Sequence, residues 1–123
     1  MTHERNKNKV QTGRYGQDAA LKYLQAKKMT LIEANFSVSS GEIDLIMKDE
    51  HYIVFIEVKY RRGLAYGFPR EAVGFRKQQK IIKTAMHFIA RQQLQNQDFR
   101  FDAMELIDTP DGLIINHIEN AFW

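Results

Sequence analysis

The sequence predicts a single α/β domain in which a mixed β-sheet is flanked by helices, in the order α-β-β-β-α-β-β. Two segments, near residues 15–28 and 75–94, carry apolar residues at helical spacing. Five other segments are rich in apolar and β-branched residues and are separated by turn-forming residues. With 123 residues, the chain has length for one compact core and little room for a second domain.

The first half of the chain predicts one helix and three strands. The helix spans about residues 15–28, and the polar segment before it shows no periodicity. We therefore expect residues 1–12 to form a flexible basic arm and residues 13–123 to form one domain. The third strand is almost continuously apolar, which predicts a central position covered on both faces. The three strands are predicted at residues 30–38, 42–48 and 52–60.

The second half predicts a loop, a long helix and two final strands. Residues 61–68 read as a loop, and the helix follows from about residue 71 or 75 to residue 94. A Pro-Asp-Gly turn then separates the two strands, which are predicted at residues 98–108 and 113–119. The buried stripe of the helix is predicted to consist of Ile81, Ile82, Ala85, Phe88 and Ile89.

The composition excludes several classes of protein. The chain has no cysteine, so a disulfide framework, thiol catalysis and thiolate metal sites are excluded. No apolar run approaches the roughly 20 residues that a membrane-spanning helix needs, and the N-terminus lacks the apolar core of a secretory signal. We therefore expect a cytoplasmic protein with no membrane partner.

The charges are distributed unevenly, although the net charge is only +3. Residues 1–30 contain seven Lys or Arg against two acids, and residues 59–83 contain eight against one. From residue 84 onward the balance reverses, with two basic residues against six acids. Such a distribution can present a positive face to a polyanion such as nucleic acid. Solubility alone is the other explanation for the charges.

Three charged residues, Asp44, Glu57 and Lys59, lie inside apolar strand segments rather than at their ends. Because residues two apart share a face of a strand, Glu57 and Lys59 point the same way, as do Glu42 and Asp44. A tight hairpin pairs residues whose numbers sum to about 99, which puts Glu42 opposite Glu57. A longer loop gives a sum of 101, which puts Asp44 opposite Glu57. Either register predicts all four side chains on one face.

Such a group of charges predicts a metal site. Isolated buried charges cost several kcal/mol each unless they are paired or bound to metal, and two neighbouring acids require a cation between them. Hard oxygen ligands without His or Cys suit Mg²⁺ or Mn²⁺. Lys59 could then position or deprotonate a water molecule. The alternative is a structural Glu57–Lys59 pair, with Asp44 held by backbone amides.

The pattern of an acid on one strand and Glu57-Val58-Lys59 on the next resembles the motif of the PD-(D/E)XK nuclease superfamily. More narrowly, GRYGQDAALKYL, Asn35, GEIDLI, FIEVKYR, YGFPREAV, RFD and NAF resemble segments of the YraN family of uncharacterised bacterial proteins. The matches run from about Gly13 to Phe122. The resemblance implies a restriction-endonuclease-like fold, similar to that of Holliday junction resolvases, with Asp44, Glu57 and Lys59 as the catalytic residues.

The chain departs from the family pattern at two positions. Gln17 stands where relatives usually have a glutamate that completes the metal site, and Ser37 stands where a basic residue is expected. Gln17 could bind the metal through its amide oxygen or through water. Asp18 does not simply replace it, because one helical position is a rotation of about 100°. The resemblance thus implies a metal set of Asp44 and Glu57, with Glu42 and Gln17 as additional candidates.

Basic residues next to the motif are the candidates for nucleic-acid contact. The segment after Lys59 interleaves arginines with aromatic residues, a combination that suits phosphate contact and base stacking. The second helix begins near the same strand ends, although an ordinary solvated helix face would look similar. Asp102, in the RFD motif, is predicted to support the fold through Arg100. The candidates for nucleic-acid binding are Arg61, Arg62, Arg70, Arg76, Lys77 and Lys80.

The leading functional hypothesis is an endonuclease that depends on Mg²⁺ or Mn²⁺ and acts on DNA, including branched or junction DNA. The rival is a protein of nuclease-like fold that recognises nucleic acid without cutting it, and Gln17 favours this rival. A third hypothesis is an interaction adaptor that uses Phe122 and Trp123, which either pack on the sheet or form an exposed patch. Junction resolvases act as symmetric dimers, so a homodimer is a further expectation, although the sequence shows no self-complementary patch.

Overall fold

The structure, a computed structural model, describes residues 2–63, 74–94 and 96–122, with side chains from residue 14 onward. The predicted order α-β-β-β-α-β-β is confirmed. The elements are α1 (Thr2–Ala26), β1 (Thr30–Val38), β2 (Gly41–Asp49), β3 (Tyr52–Arg62), α2 (Phe75–Arg91), β4 (Asp98–Thr109) and β5 (Gly112–Ile118).

Helix α1 begins at Thr2, whereas the apolar stripe predicts a start near residue 15. Residues 2–12, which were predicted to form a flexible basic arm, therefore continue the helix. The stripe reports the packed part of a helix only, while Glu, Arg, Lys and Gln favour helix in the polar segment before it. That this segment is flexible stays a prediction.

Strand β3 is longer than the sequence predicts. Arg61 and Arg62, predicted in a loop, belong to the strand because they pair with Ile107 and Asp108 of β4. Gly63 continues the contact, since its N–H donates to the carbonyl of Asp108 at 2.7 Å. Residues 64–68 of the predicted loop lie outside the described residues.

The five strands form one mixed sheet in the order β1-β2-β3-β4-β5. Strand β3 pairs with β4 in parallel, and the other three pairs are antiparallel. The parallel pair requires a crossover, and α2 lies on that connection. The central position predicted for β3 is therefore confirmed.

Each face of the sheet is covered by one helix. On one face, Ile81, Ala85 and Phe88 of α2 pack with sheet residues such as Ile46 and Phe55. On the other face, α1 packs through a separate cluster that contains Ala20, Leu24, Leu45, Met47, Val54, Ile56, Met104 and Leu106. Within the described chain, neither helix is long and apolar enough to cross a membrane.

The C-terminal end of the described chain packs on the sheet. Phe122 is buried in the α2-side cluster, and its ring centroid lies 5.3 Å from that of Phe101. The N–H of Ala121 donates to the carbonyl of Phe101 at 2.8 Å. Of the two placements considered for this end, packing is therefore confirmed for Phe122, while Trp123 lies outside the described residues.

Candidate active site

The β2–β3 hairpin resolves the register that the sequence left open. Leu45 pairs with Ile56 and Lys48 with Ile53, so the paired residue numbers sum to 101. This is the longer-loop register, which directs Asp44 toward Glu57. The ladder ends at the Leu45–Ile56 pair, and the backbone N–H of Val58 instead donates to Oδ2 of Asp44 at 2.7 Å. The Asp44 carboxylate thus takes the place of a main-chain acceptor between two central strands.

Strict alternation of side chains fails at Asp44. Ile43 packs in the cluster beneath α2, whereas Leu45, two residues on, packs beneath α1. The neighbouring strand β1 changes at the same level: Asn35 has a φ of 56°, and the pairs on either side of it are Ala34–Leu45 and Phe36–Ile43. Asparagine tolerates this left-handed conformation better than most residues.

This irregularity corrects the prediction that strict alternation along β2 places Glu42 and Asp44 on one face of the sheet. Glu42 is exposed, whereas Asp44 is partly buried. The charge of Glu42 nevertheless acts on the Asp44 carboxyl group.

Glu57 is the most deeply buried of the predicted metal ligands, with 6% of its surface exposed. Its ion-pair partner among the described residues is Lys77, whose Nζ lies 2.5 Å from Oε1 of Glu57. The alternative prediction of a Glu57–Lys59 ion pair is therefore replaced by a pair with α2. Burial opposes the charge on Lys77, but the hydrogen bond and attraction to Glu57 outweigh it and raise the pKa of Lys77.

Lys77 was predicted to contact nucleic acid, but the structure directs it to the acid cluster. It lies four residues before Ile81 and therefore continues the buried stripe of α2 toward the sheet. A second contact fixes the same helix, because the hydroxyls of Thr84 and Ser40 lie 3.0 Å apart. The sequence shows that Lys77 lies four residues before Ile81. This spacing could have predicted that Lys77 is on the side of α2 that faces the sheet.

Lys59 lies two residues after Glu57 on β3 and is partly buried. In the parallel register it stands beside Glu105 of β4. Burial lowers the pKa of Lys59, and the nearby Lys77 ammonium lowers it further, while Glu57 and Asp44 oppose the change. A lysine whose pKa is lowered in this way is better suited to take a proton from water than an exposed lysine.

The surroundings of the Asp44 carboxyl group favour its neutral form. Burial, and next to it repulsion from Glu57 and Glu42, raise its pKa from 3.8 to about 7. The hydrogen bond from Val58 and the charge of Lys77 act in the opposite direction. Two acids that cannot both ionise comfortably define a place where an added cation is stabilised.

The donor set at this place fits Mg²⁺ or Mn²⁺ better than a metal that needs a complete protein cage. Within the described residues, no three His, Cys, Asp or Glu side chains are grouped to hold an ion. Mg²⁺, however, commonly uses one or two carboxylates and completes its shell with water and substrate phosphate. Asp44 and Glu57 supply two such oxygen ligands, and these are the residues that would hold the ion.

Gln17 lies on α1, next to a close contact between this helix and β3. It is partly buried, and the preceding Gly16 lies so close to Tyr60 of β3 that a Cβ at position 16 would collide with the tyrosine Cβ. The small residue thus brings the helix against the strand next to Lys59. That the Gln17 amide or Glu42 takes part in metal binding stays a prediction.

The remaining basic candidates differ in their surroundings. Arg62, Arg76 and Lys80 are exposed, as contact with a phosphate backbone requires. Arg61 is partly buried, and its Nε and Nη2 have no hydrogen-bond partner within the part of the chain that the structure describes. Arg70 lies outside the described residues. Contact of these residues with nucleic acid stays a prediction.

Glu105 is a residue of this region that the sequence reasoning missed. It is 3% exposed and stands beside Lys59, and Nδ2 of Asn116 lies 3.4 Å from its Oε2. The signal is an acid within the apolar run AMELI, the same kind of signal that singled out Asp44 and Glu57.

A second charged group, on the α1 side of the sheet, is fully satisfied. Asp102 accepts hydrogen bonds from Arg100 Nε at 3.0 Å and from the Asn120 N–H at 3.1 Å, and His117 Nε2 lies 2.7 Å away. Burial opposes the charge on Asp102, but the hydrogen bonds from His117 and Arg100 outweigh it and lower its pKa. The predicted contact of Asp102 with Arg100 is confirmed.

The protonation of His117 follows from its neighbours. Lys27 Nζ lies 3.1 Å from Nδ1 of His117, and an ammonium group can only donate. His117 therefore accepts at Nδ1 and donates from Nε2 to Asp102. The spacing of the four histidines shows no pattern, so the hydrogen bond between His117 and Asp102 was not predicted.

The fold and the group around Asp44 and Glu57 define an α/β protein. In this group, acids and lysines lie together where the pairing of β2 and β3 ends. A profile described as "Uncharacterised protein family UPF0102" matches residues 16–106. The chain belongs to this family, which is the YraN family that the sequence motifs resemble.

Its relatives match along nearly their whole length. A UPF0102 protein of Clostridium acetobutylicum is 43% identical over 122 residues, which cover 98% of each chain. A UPF0102 protein of Dictyoglomus turgidum is 38% identical over 117 residues, or 94% of this chain and 99% of the relative. A UPF0102 protein of Caldanaerobacter subterraneus subsp. tengcongensis is 43% identical over 118 residues, or 94% and 97% of the two chains.

Proposed function

We propose that the protein is a metal-dependent endonuclease that hydrolyses phosphodiester bonds in DNA, with branched or junction DNA as the preferred substrate class. The observation that supports this most is the direction of Asp44 toward Glu57 at the end of the β2–β3 ladder. There the pKa of Asp44 is raised to about 7, and two lysines lie beside the acids. Two neighbouring buried acids do not stabilise a protein core, whereas they can hold a cation at a site that binds phosphate.

In this proposal each residue of the cluster has a defined role. Asp44 and Glu57 would hold Mg²⁺ or Mn²⁺, which would supply positive charge to stabilise the phosphate and the leaving oxygen. Lys59 orients the attacking water and accepts its proton, which its lowered pKa favours. The exposed Arg62, Arg76 and Lys80 are placed to contact neighbouring phosphates, which makes binding dependent on salt.

The second candidate function is recognition of nucleic acid without cleavage. Two features favour it: Gln17 stands where the family resemblance leads us to expect a glutamate, and an ammonium group already pairs with Glu57. The exposed basic residues serve this function equally well. Cleavage and metal binding, rather than nucleic-acid binding, therefore separate the two candidates.

The test is cleavage of a labelled panel of duplex, single-stranded, flap and four-way-junction DNA together with RNA, in Mg²⁺ or Mn²⁺. Asp44→Asn and Glu57→Gln should abolish cleavage and leave the fold intact. Asp98→Asn serves as the matched control, because the Asp98 side chain is 65% exposed and pairs only with His51 among the described residues. Salt-sensitive binding without metal-dependent cutting would support the recognition protein instead.

The same preparation tests the expected homodimer. Sedimentation with and without a four-way junction should show two copies per junction if the protein cuts symmetrically. One copy per junction would remove the dimer from the proposal without affecting the site.

A further inference from the structure

We propose that Lys77 is an internal counter-ion that competes with a divalent cation for Glu57 and leaves the carboxylate when the cation binds. This inference rests on the proposed function, because it concerns the ion that Asp44 and Glu57 would hold. It assigns to Lys77 a role in gating the metal site rather than a direct contact with nucleic acid.

The first argument is the occupancy of Glu57. Its side chain is only 7% exposed, so solvent does little for its charge, and Lys77 Nζ lies within direct contact of Oε1. A buried carboxylate needs such a partner in the absence of any other cation. A divalent ion on the same oxygen provides the same compensation, so the ammonium and the ion are alternatives.

The second argument is that Lys77 has a route away from Glu57. Its side chain is 42% exposed, and a long, flexible stem lets the ammonium move into solvent while the stem stays on the protein. The move leaves the helix in place, because α2 is fixed independently by Ile81, Ala85 and Phe88 in the core and by the contact of Thr84 with Ser40.

The third argument is the crowding of positive charge. The ammonium of Lys77 acts on Lys59 and lowers its pKa, so two cationic side chains already share one small region. A divalent ion held by Asp44 and Glu57 would bring a third positive centre into the same space. Repulsion then favours departure of the more exposed ammonium, which is that of Lys77.

The experiment is calorimetric titration of the metal-free protein with Mn²⁺, applied to the wild type, Lys77→Met and the control Lys80→Met. Lys80 lies one turn further along α2 and is exposed. Competition at a shared group typically changes affinity by about 5- to 150-fold, so Lys77→Met should bind Mn²⁺ tighter by a factor in that range. Lys80→Met should bind as the wild type does.

Thermal unfolding provides a readout that separates a competitor from a merely structural lysine. Without Mn²⁺, Lys77→Met should melt at a lower temperature than the wild type, because Glu57 is left buried without its partner. Saturating Mn²⁺ should raise the melting temperature of Lys77→Met by more than it raises that of the wild type. A structural lysine would instead lose both stability and Mn²⁺ affinity when replaced.

Lys77→Gln guards against a variant that fails to fold, since its amide can still donate to Glu57 without carrying charge. If both variants bind Mn²⁺ no tighter than the wild type, the role assigned to Lys77 is wrong and the proposed nuclease stands. If neither the wild type nor the variants bind Mn²⁺, the role of Lys77 and the metal site both fall. Binding by the variants alone would mean that Lys77 closes the site completely, which supports the inference.

Discussion

Two aspartates inside the fold, Asp44 on β2 and Asp102 on β4, have opposite surroundings. The Asp102 carboxylate accepts hydrogen bonds from Arg100, from His117 and from the backbone N–H of Asn120, and its pKa is lowered. The Asp44 carboxyl group accepts one hydrogen bond from a backbone N–H and lies near the buried Glu57, and its pKa is raised to about 7. Burial alone therefore does not distinguish a structural acid from a functional one, whereas the set of partners does.

The two groups also differ in what they connect. The Asp102 group joins four elements: Arg100 reaches Asp49 at the end of β2, and His117 of β5 contacts Lys27 next to α1. A network with every member satisfied stabilises a particular packing of its elements. In the Asp44 group two neighbouring acids repel each other where strand pairing ends, and a cation shared by the two carboxylates would relieve this repulsion.

The largest expected effect on stability is that of Asp102→Ala. Removing this carboxylate leaves Arg100 and His117 without their shared acceptor, which should lower the free energy of unfolding by about 3–5 kcal/mol. Asp44→Asn should not lower it at neutral pH, since the amide oxygen still accepts from Val58 and the amide resembles the neutral carboxyl form that burial favours. Urea unfolding of both variants measures the difference, and equal losses would contradict the distinction between the two acids.

The pH dependence of stability should have opposite signs for the two acids. The folded state holds the Asp44 proton more tightly than the unfolded state, so this contribution is complete below about pH 4 and is lost as the pH rises from 3.8 to about 7. The pKa of Asp102 is lowered, so its contribution is present above its ordinary value and is lost as the pH falls through its folded-state pKa.

The measurement is urea unfolding of the wild type and Asp44→Asn in metal-free buffer at several pH values. The difference in unfolding free energy should shift in favour of the variant by up to about 1.4 kcal/mol per pH unit between pH 5 and pH 7. Asp98→Asn should follow the wild type. An offset between Asp44→Asn and the wild type that does not change with pH would contradict the raised pKa of Asp44.

The smallest expected effect concerns the outer edge of the Asp102 group. Lys27 contacts His117 from an exposed position, and a solvated ammonium contributes little to stability. Lys27→Met should therefore change the free energy of unfolding by less than about 0.5 kcal/mol, measured by urea unfolding at neutral pH. Lys22→Met, an exposed lysine of the adjoining helix α1, is the control. A loss close to that of Asp102→Ala would show that Lys27 is an integral member of the network.

The sequence was sufficient for the order of elements, because apolar periodicity and turn residues act locally. It was not sufficient for the register, since two loop lengths around Glu50 satisfy the same pattern. The placement of Arg61 and Arg62 in β3 also escaped it, because parallel pairing with β4 is a long-range effect.

The candidate site was predicted in part for similar reasons. Charges within apolar runs singled out Asp44, Glu57 and Lys59, but the partner of Glu57 comes from α2, twenty residues away. The change in side-chain alternation of β2 at Asp44 occurs beside Asn35 of β1, whose φ is positive. The sequence of β2 alone does not predict it. The pairing of His117 with Asp102 depends on how β4 and β5 align.

The central claim is that Asp44 belongs to a catalytic metal site, whereas Asp102 belongs to the framework. The most direct test compares Mn²⁺-dependent cleavage by Asp44→Asn and Asp102→Asn at a temperature at which circular dichroism shows both to be folded. The account predicts that Asp44→Asn loses roughly a hundredfold or more of the rate per folded molecule, while Asp102→Asn stays close to the wild type. Cleavage by Asp44→Asn at the wild-type rate would contradict it.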